Sequence, residues 1–171
     1  MENENNIQKQ DEIIQLTIKQ KIFSFLKENG LFILIIIVCF IFMFNFRIIR
    51  VSGNSMDTTL ADKQIHLAKI TKNITYGDII VANSNILDCI IIKRVIGCPG
   101  DTIKIENNEF YLNGEKIEEP YILEKMDTPD IQDYTLQENE YFCCGDNRNF
   151  STDSRAIGPI LIKDIVGKMI V

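Results

Sequence analysis

Two side chains in this sequence could act as a nucleophile and its base without help from a histidine. Ser55 stands in Ser52-Gly53-Asn54-Ser55-Met56-Asp57-Thr58-Thr59-Leu60. There Gly53 lets backbone approach closely and Met56 is a flexible apolar filler. Lys93 follows directly on Ile90-Ile91-Ile92 and precedes Arg94-Val95-Ile96, so its stem runs among apolar groups. Strand alternation sends its neighbour Arg94 to the opposite face, toward water. An unperturbed lysine, with a pKa near ~10.4, is neutral about once in 2,500 molecules at pH 7, and burial can depress that value by ~3 to 5 units. A depressed Lys93 is therefore a candidate general base for an activated Ser55. Each stretch alone has a plainer reading: Ser55 as a turn residue bonded to its own backbone, Lys93 as a snorkelling lysine at a strand edge.

The residue types that are scarce narrow the chemistry. The single histidine, His66, lies in Gln64-Ile65-His66-Leu67-Ala68-Lys69, where alternation puts it on the face opposite Ile65 and Leu67 as an exposed structural residue. A Ser-His-Asp triad would have to use it. One histidine and no carboxylate cluster at ligand spacing argue against a metal site, and no cofactor motif is present. The five cysteines (Cys39, Cys89, Cys98, Cys143 and Cys144) contain no C-x-x-C pair and read mostly as small buried hydrophobes. Net charge is −6 with lysines and arginines scattered, which argues against nucleic acid as a partner.

A third polar stretch, Gly145-Asp146-Asn147-Arg148-Asn149-Phe150-Ser151-Thr152-Asp153-Ser154-Arg155, suits a rigid loop held by Asp–Arg pairing and by side-chain-to-backbone bonds. A plain surface turn would account for it equally.

These stretches need a scaffold. Residues 1–29 are polar and mixed in charge, with Ile14, Ile18, Ile22 and Phe25 or Leu26 at helical spacing, predicting a short amphipathic helix. Gly30 to Phe46 carries no charge and reaches roughly 25 Å as a helix, enough to cross a bilayer at the short end of the range. Its flanks lack the small-residue cleavage site of a removable signal peptide. Lys19, Lys21 and Lys27 precede it and Arg47 and Arg50 follow, a slight bias toward a cytoplasmic N-terminus. From residue 47 to 171 the pattern becomes short β-type runs broken by turn residues, predicting one mainly β domain. The runs are Ile48 to Ser52, Gln64 to Lys69, Ile79 to Ala82, Asp88 to Ile96, Thr102 to Ile105, Glu109 to Leu112, Glu115 to Ile117, Tyr134 to Leu136, Tyr141 to Cys144 and Ile165 to Ile170. Asn113-Gly114 is a type I′ hairpin signal. Glu118 to Asp133, with Pro120 and Pro129, reads as a long loop.

Together the three stretches resemble the bacterial type I signal peptidases, membrane-anchored Ser-Lys proteases, in their short single-span form. Ser55-Met56 through Thr59-Leu60 is similar to the family's Ser-Met-x-Pro-Thr-Leu box, and Gly77-Asp78-Ile79-Ile80-Val81 to its Gly-Asp-Ile-Val box. Lys93-Arg94-Val95-Ile96-Gly97-Cys98-Pro99-Gly100-Asp101 matches the Lys-Arg-Val-x-Gly-x-Pro-Gly-Asp box, and Gly145 to Arg155 the Gly-Asp-Asn-Arg…Ser-x-Asp-Ser-Arg box. The boxes come in the family's order, and the likeness runs from the apolar span to the C-terminus.

The resemblance implies a transmembrane helix followed by an antiparallel β-sheet catalytic domain outside the cytoplasm. It implies removal of signal peptides from exported preproteins after an Ala-x-Ala site, with no cofactor. Partners would be preproteins, the bilayer and, as a further candidate, the secretion machinery. Ser55 would be the nucleophile and Lys93 the base, with Ser151 orienting the Lys93 amine and Asp153 and Arg155 fixing the loop. Met56, Leu60, Ile92 and Val51 would line the pockets for small residues. The backbone N–H of Ser55 would serve the oxyanion hole. Gly53 replaces the hydroxyl that some members carry there, leaving backbone as the candidate second donor. Two departures stand out: Thr58 replaces a proline, predicting a looser turn, and Asn149-Phe150 replaces Asp-Asn, which deprives Arg148 of a neighbour. The competing reading is an inactive anchored β-domain that binds exported polypeptides without cutting them. Self-cleaving Ser-Lys repressors share the pair but carry a DNA-binding domain.

Overall fold

The strand that carries Lys93 lies deep in a large antiparallel sheet, and its neighbours explain why a lysine there loses water. A computed structural model describes residues 2–122 and 124–171, with side chains from Ile14 onward. Helix α1 spans Glu2–Asn45 without interruption, so the short N-terminal helix and the apolar helix expected separately are one element. Within it, Ile14–Asn45 is long and apolar enough to cross a membrane. The chain divides into two compact units, Met1–Phe44 and Asn45–Val171.

The second unit is built of strands β1 (Phe46–Arg50), β2 (Ile65–Ile70), β3 (Ile79–Ser84), β4 (Cys89–Gly97), β5 (Thr102–Glu106), β6 (Glu109–Leu112), β7 (Glu115–Lys116), β8 (Ile131–Thr135), β9 (Glu140–Cys144), β10 (Ile160–Leu161) and β11 (Ile165–Ile170). The larger sheet has the order β1-β2-β11-β3-β4-β9-β10, the smaller the order β7-β6-β5-β8. All pairings are antiparallel. The strand β4 is thus flanked by β3 and β9, three strands in from one edge. Its predicted extent holds to within a residue at each end.

Asn113 (φ 54°) and Gly114 (φ 84°) form the turn between β6 and β7, the two positive φ values that a type I′ hairpin requires. Two features differ from expectation. The loop after Glu118 gives way to β8 at Ile131, earlier than Tyr134. The two-residue strand β10 is too short to announce itself and exists because it pairs with Tyr141 and Glu140 of β9.

Three apolar clusters fix the domain. Ile80, Ala82, Ile91, Val95, Cys143 and Ile165 pack on one side of the large sheet. Ile96, Ile103, Ile105, Phe110, Leu136 and Phe142 join the two sheets, each large side chain contributing roughly 1.5–3 kcal/mol by burial. Val51, Met56, Leu60, Ala68, Val81 and Met169 form the third, and this one underlies Ser55. The cysteines divide differently from the expectation: Cys143 and Cys144 are buried, Cys98 is half-buried, and Cys39 and Cys89 are exposed. Cys89 opens β4 beyond the packed part of the sheet, and Cys39 lies on the helix.

Candidate active site

Lys93 Nζ donates to Ser55 Oγ at 2.8 Å. Register explains the lysine's position: in β4 it lies opposite Ile80 of β3, while Arg94 lies opposite Ile79 on β3 and Cys144 on β9. Only 4% of Lys93 is exposed. Burial pushes its ammonium below the ordinary lysine value, and the nearby Asp153 carboxylate opposes the shift without cancelling it. A neutral amine, able to accept a proton from an adjacent hydroxyl, becomes accessible by this means.

Ser55 is held by a turn whose apolar members are sunk in the core. Met56 O accepts from the N–H groups of Thr59 and Leu60, both at 2.9 Å, and Asn54 O from that of Asp57 at 3.2 Å. Val51 N donates to Gln64 O at 2.9 Å, and Lys63 N to Val51 O at 3.0 Å, closing the excursion between β1 and β2. Gly53 has φ +90°, a conformation that favours glycine. Its N–H donates to Asp62 Oδ1 at 3.0 Å, so that group is already engaged and is a poor second oxyanion donor. The turn that carries Thr58 is closed by these bonds, although the fixed φ of a proline is absent.

The polar loop after β9 completes the surroundings. Asp153 accepts from Arg155 Nε and Nη2, each at 2.8 Å, from Gly145 N at 2.9 Å and from Ser151 Oγ at 2.7 Å. Burial alone would raise the Asp153 carboxyl, but the Arg155 bonds and charge, with those from Gly145 and Ser151, hold it below the usual value. The hydroxyl of Ser151 thus points its hydrogen at Asp153. Its expected role toward the Lys93 amine is not among the bonds of the structure. Gly145 lies where a Cβ would overlap Ser151 Oγ and the Ser55 carbonyl. Its missing side chain is what lets the loop and the nucleophile turn touch.

Several residues that hold the site gave no signal in isolation. Asn147 clamps the nucleophile turn twice, its N–H to Ser55 O at 3.1 Å and its Nδ2 to Asn54 O at 3.0 Å. Arg94 is not turned to water: Nε and Nη2 donate to the two oxygens of Asp146 at 2.8 and 2.7 Å, and Nη1 donates to Gly77 O at 3.0 Å. Its guanidinium lies 4.1 Å from the centre of the Tyr121 ring. Thr59 Oγ1 donates to Asp146 Oδ2 at 2.5 Å. One buried carboxylate therefore ties together all four sequence boxes, through Thr59, Gly77, Arg94 and itself. Arg148 does not lack a neighbour either, since it pairs with both oxygens of Glu119 at 2.6 and 2.5 Å. Asn149 bonds Lys125 O and Asp127 N instead. A signal was available in retrospect: charged residues in otherwise apolar strands need partners, and the loops held them.

A cleft of about 560 Å³ opens beside Ser55 and Lys93, lined among others by Val51, Gly53, Met56 and Ile92. Three of the four residues expected to line substrate pockets, Val51, Met56 and Ile92, thus border it, and Gly53 stands beside them. Leu60, fully buried, lies in the core beneath. His66 stays apart on β2, its Nε2 3.1 Å from Gln64 Oε1.

Comparison with known proteins identifies the family of the chain. The family described as signal peptidase, peptidase S26, matches residues 24–171. Signal peptidase I of Streptococcus pneumoniae serotype 4 is 34% identical over 185 residues, covering 85% of this chain and 91% of its own. Signal peptidase I S of Bacillus subtilis strain 168 is 36% identical over 132 residues, covering 68% of this chain and 71% of its own. The crystal structure of a signal peptidase I from Enterococcus faecalis V583 superposes with a TM-score of 0.50 at 30% identity, over 56% of this chain and 96% of that one. With the profile spanning the whole β-domain and relatives above 30% identity over most of the chain, this protein belongs to the signal peptidase family, peptidase S26, and is a serine endopeptidase.

Proposed function

We propose that this chain removes signal peptides from exported preproteins after a small-x-small site of the Ala-x-Ala kind, with Ser55 and Lys93 as its catalytic pair. The observation that carries this reading is the 2.8 Å approach of a buried lysine amine to Ser55 Oγ. Neutral Lys93 takes the Ser55 proton as Oγ attacks the scissile carbonyl, and the Ser55 N–H faces the developing oxyanion. Collapse of the tetrahedral intermediate breaks the peptide bond, and Lys93 passes its proton to the leaving amine. The signal peptide is left as an ester on Ser55. Lys93 then deprotonates a water that hydrolyses the ester and restores the enzyme. Asp153, fixed by Arg155, anchors Ser151 and Gly145 around the pair.

Substrate would lie extended in the cleft bordered by Val51, Gly53, Met56 and Ile92, pairing along exposed strand while burying alternate side chains. Residues 30–45 would form the anchor, one residue shorter than the apolar run because Phe46 of β1 pairs with Lys69 of β2, with residues 1–29 cytoplasmic and 46–171 outside. The uncharged run in α1 and the lysines that precede it support that orientation.

Cleavage of a purified preprotein bearing an Ala-x-Ala site by the full-length, detergent-solubilised enzyme tests the reading. Wild type and His66→Ala should cut, whereas Ser55→Ala and Lys93→Ala should not. Association without cleavage by folded wild type would replace it with the binding-domain reading.

A further inference from the structure

Two of the three positions at which the chain departs from its family boxes, Thr58 and Phe150, border one cavity. Asp57, Thr58, Glu124, Asp146, Arg148 and Phe150 are among its walls, and its volume is about 120 Å³. That is well below the ~300 Å³ at which small-molecule sites begin, and it suits a single side chain. Asn147 also lines it, the residue whose backbone and side chain hold the Ser55 turn.

Position and charge indicate an occupant. The large cleft reaches Ser55 from the side of residues 48–53 and 89–93, and this smaller cavity lies on the side of residues 57–58 and 146–150. A substrate whose signal-peptide side fills the first therefore leaves Ser55 toward the second. At ~3.3 Å per extended residue, the second and third residues beyond the cut stand about 7–10 Å away. Two wall charges are already compensated: Arg148 is paired with Glu119, and Asp146 with Arg94. Among the described residues no ion pair engages Asp57 or Glu124. The Phe150 ring, 73% exposed, offers an aromatic face at the rim.

We propose that this cavity is a leaving-side subsite that accepts a basic side chain from the second or third residue of the mature protein, between the carboxylates of Asp57 and Glu124 and against Phe150. The inference rests on the reading that Ser55 cleaves preproteins, and it adds a specificity for the residues beyond the cut. A rim ion pair and a cation–π contact together give a preference of about tenfold for lysine over glutamate, which weakens with salt.

The test measures kcat/KM on two preproteins identical through the Ala-x-Ala site, carrying Lys-Lys or Glu-Glu at the second and third mature positions. Wild type should favour the lysine substrate about tenfold, Phe150→Asn should narrow the ratio to about threefold, and Glu124→Lys should invert it. A wild-type ratio within about twofold, or a Glu124→Lys ratio equal to wild type, overturns the subsite and leaves the protease reading intact. Failure of wild type to cut either substrate overturns both.

Discussion

Asp146→Ala is the most searching perturbation of the scaffold, because one carboxylate serves all four boxes. Its side chain is 0% exposed, and that of its partner Arg94 is 13% exposed. The substitution removes both carboxylate acceptors of Arg94 and the acceptor of Thr59 Oγ1. It leaves a guanidinium whose remaining contacts are Gly77 O at 3.0 Å, Thr59 Oγ1 at 3.4 Å and the Tyr121 ring. Breaking a buried pair from one side costs roughly 3–5 kcal/mol, and the surviving contacts of Arg94 put the loss near the low end, about 3 kcal/mol. For a folded unit spanning Asn45–Val171, unfolding entropy of ~2.1 cal/mol/K per residue sums to about 270 cal/mol/K, so Tm should fall by about 10 °C. Scanning calorimetry of the full-length protein in detergent reads this directly, with Asp146→Asn giving a smaller drop because one acceptor oxygen remains. A drop below about 3 °C for Asp146→Ala would refute the view that this carboxylate joins the boxes.

Two further outcomes rest on the same geometry. Gly145→Ala should lower kcat by at least about 10²-fold, because its Cβ would overlap the Ser55 carbonyl and Ser151 Oγ; kinetics within a few-fold of wild type would mean the loop is not pressed against the nucleophile turn. Asp153 has a folded-state pKa below its unfolded value, so its stabilisation is complete above about pH 4 and is lost as pH falls through the lower, folded value. Asp153→Asn should accordingly be less stable than wild type at pH 7 and show a shallower acid limb in urea titrations, and parallel limbs would contradict the assignment.

The strands were readable because their signals are local. Alternation and turn residues placed β4, β6 and β11 within a residue or two, and Asn113-Gly114 specified its hairpin. What the sequence withheld is long-range. Nothing within Lys93-Arg94 says that Arg94 will meet Asp146, so alternation alone sent it to water. Arg148 reads as short of a neighbour because Asn149-Phe150 stands where the family has Asp-Asn, and its actual partner, Glu119, lies in a stretch that reads as plain loop. Asn147 resembles any turn asparagine until the fold brings Asn54 and Ser55 beside it. At the site, Ser55 and Lys93 were legible from residue type and box together, and the structure brings their side chains into hydrogen-bond contact. Ser151 was assigned to the lysine by resemblance, whereas its hydroxyl is seen donating to Asp153. Leu60 was assigned to a pocket wall and is buried behind it.

Lys93 must act as a base while neutral if the proposed pair is correct, and the pH dependence of kcat/KM for Ala-x-Ala cleavage tests this most directly. Burial holds the Lys93 ammonium below its usual value, so activity should rise with pH through a lower limb well under the unperturbed ~10.4, with Ser55→Ala and Lys93→Ala inactive throughout. A lower limb at about 10.4, or cleavage retained by Lys93→Ala, would contradict it.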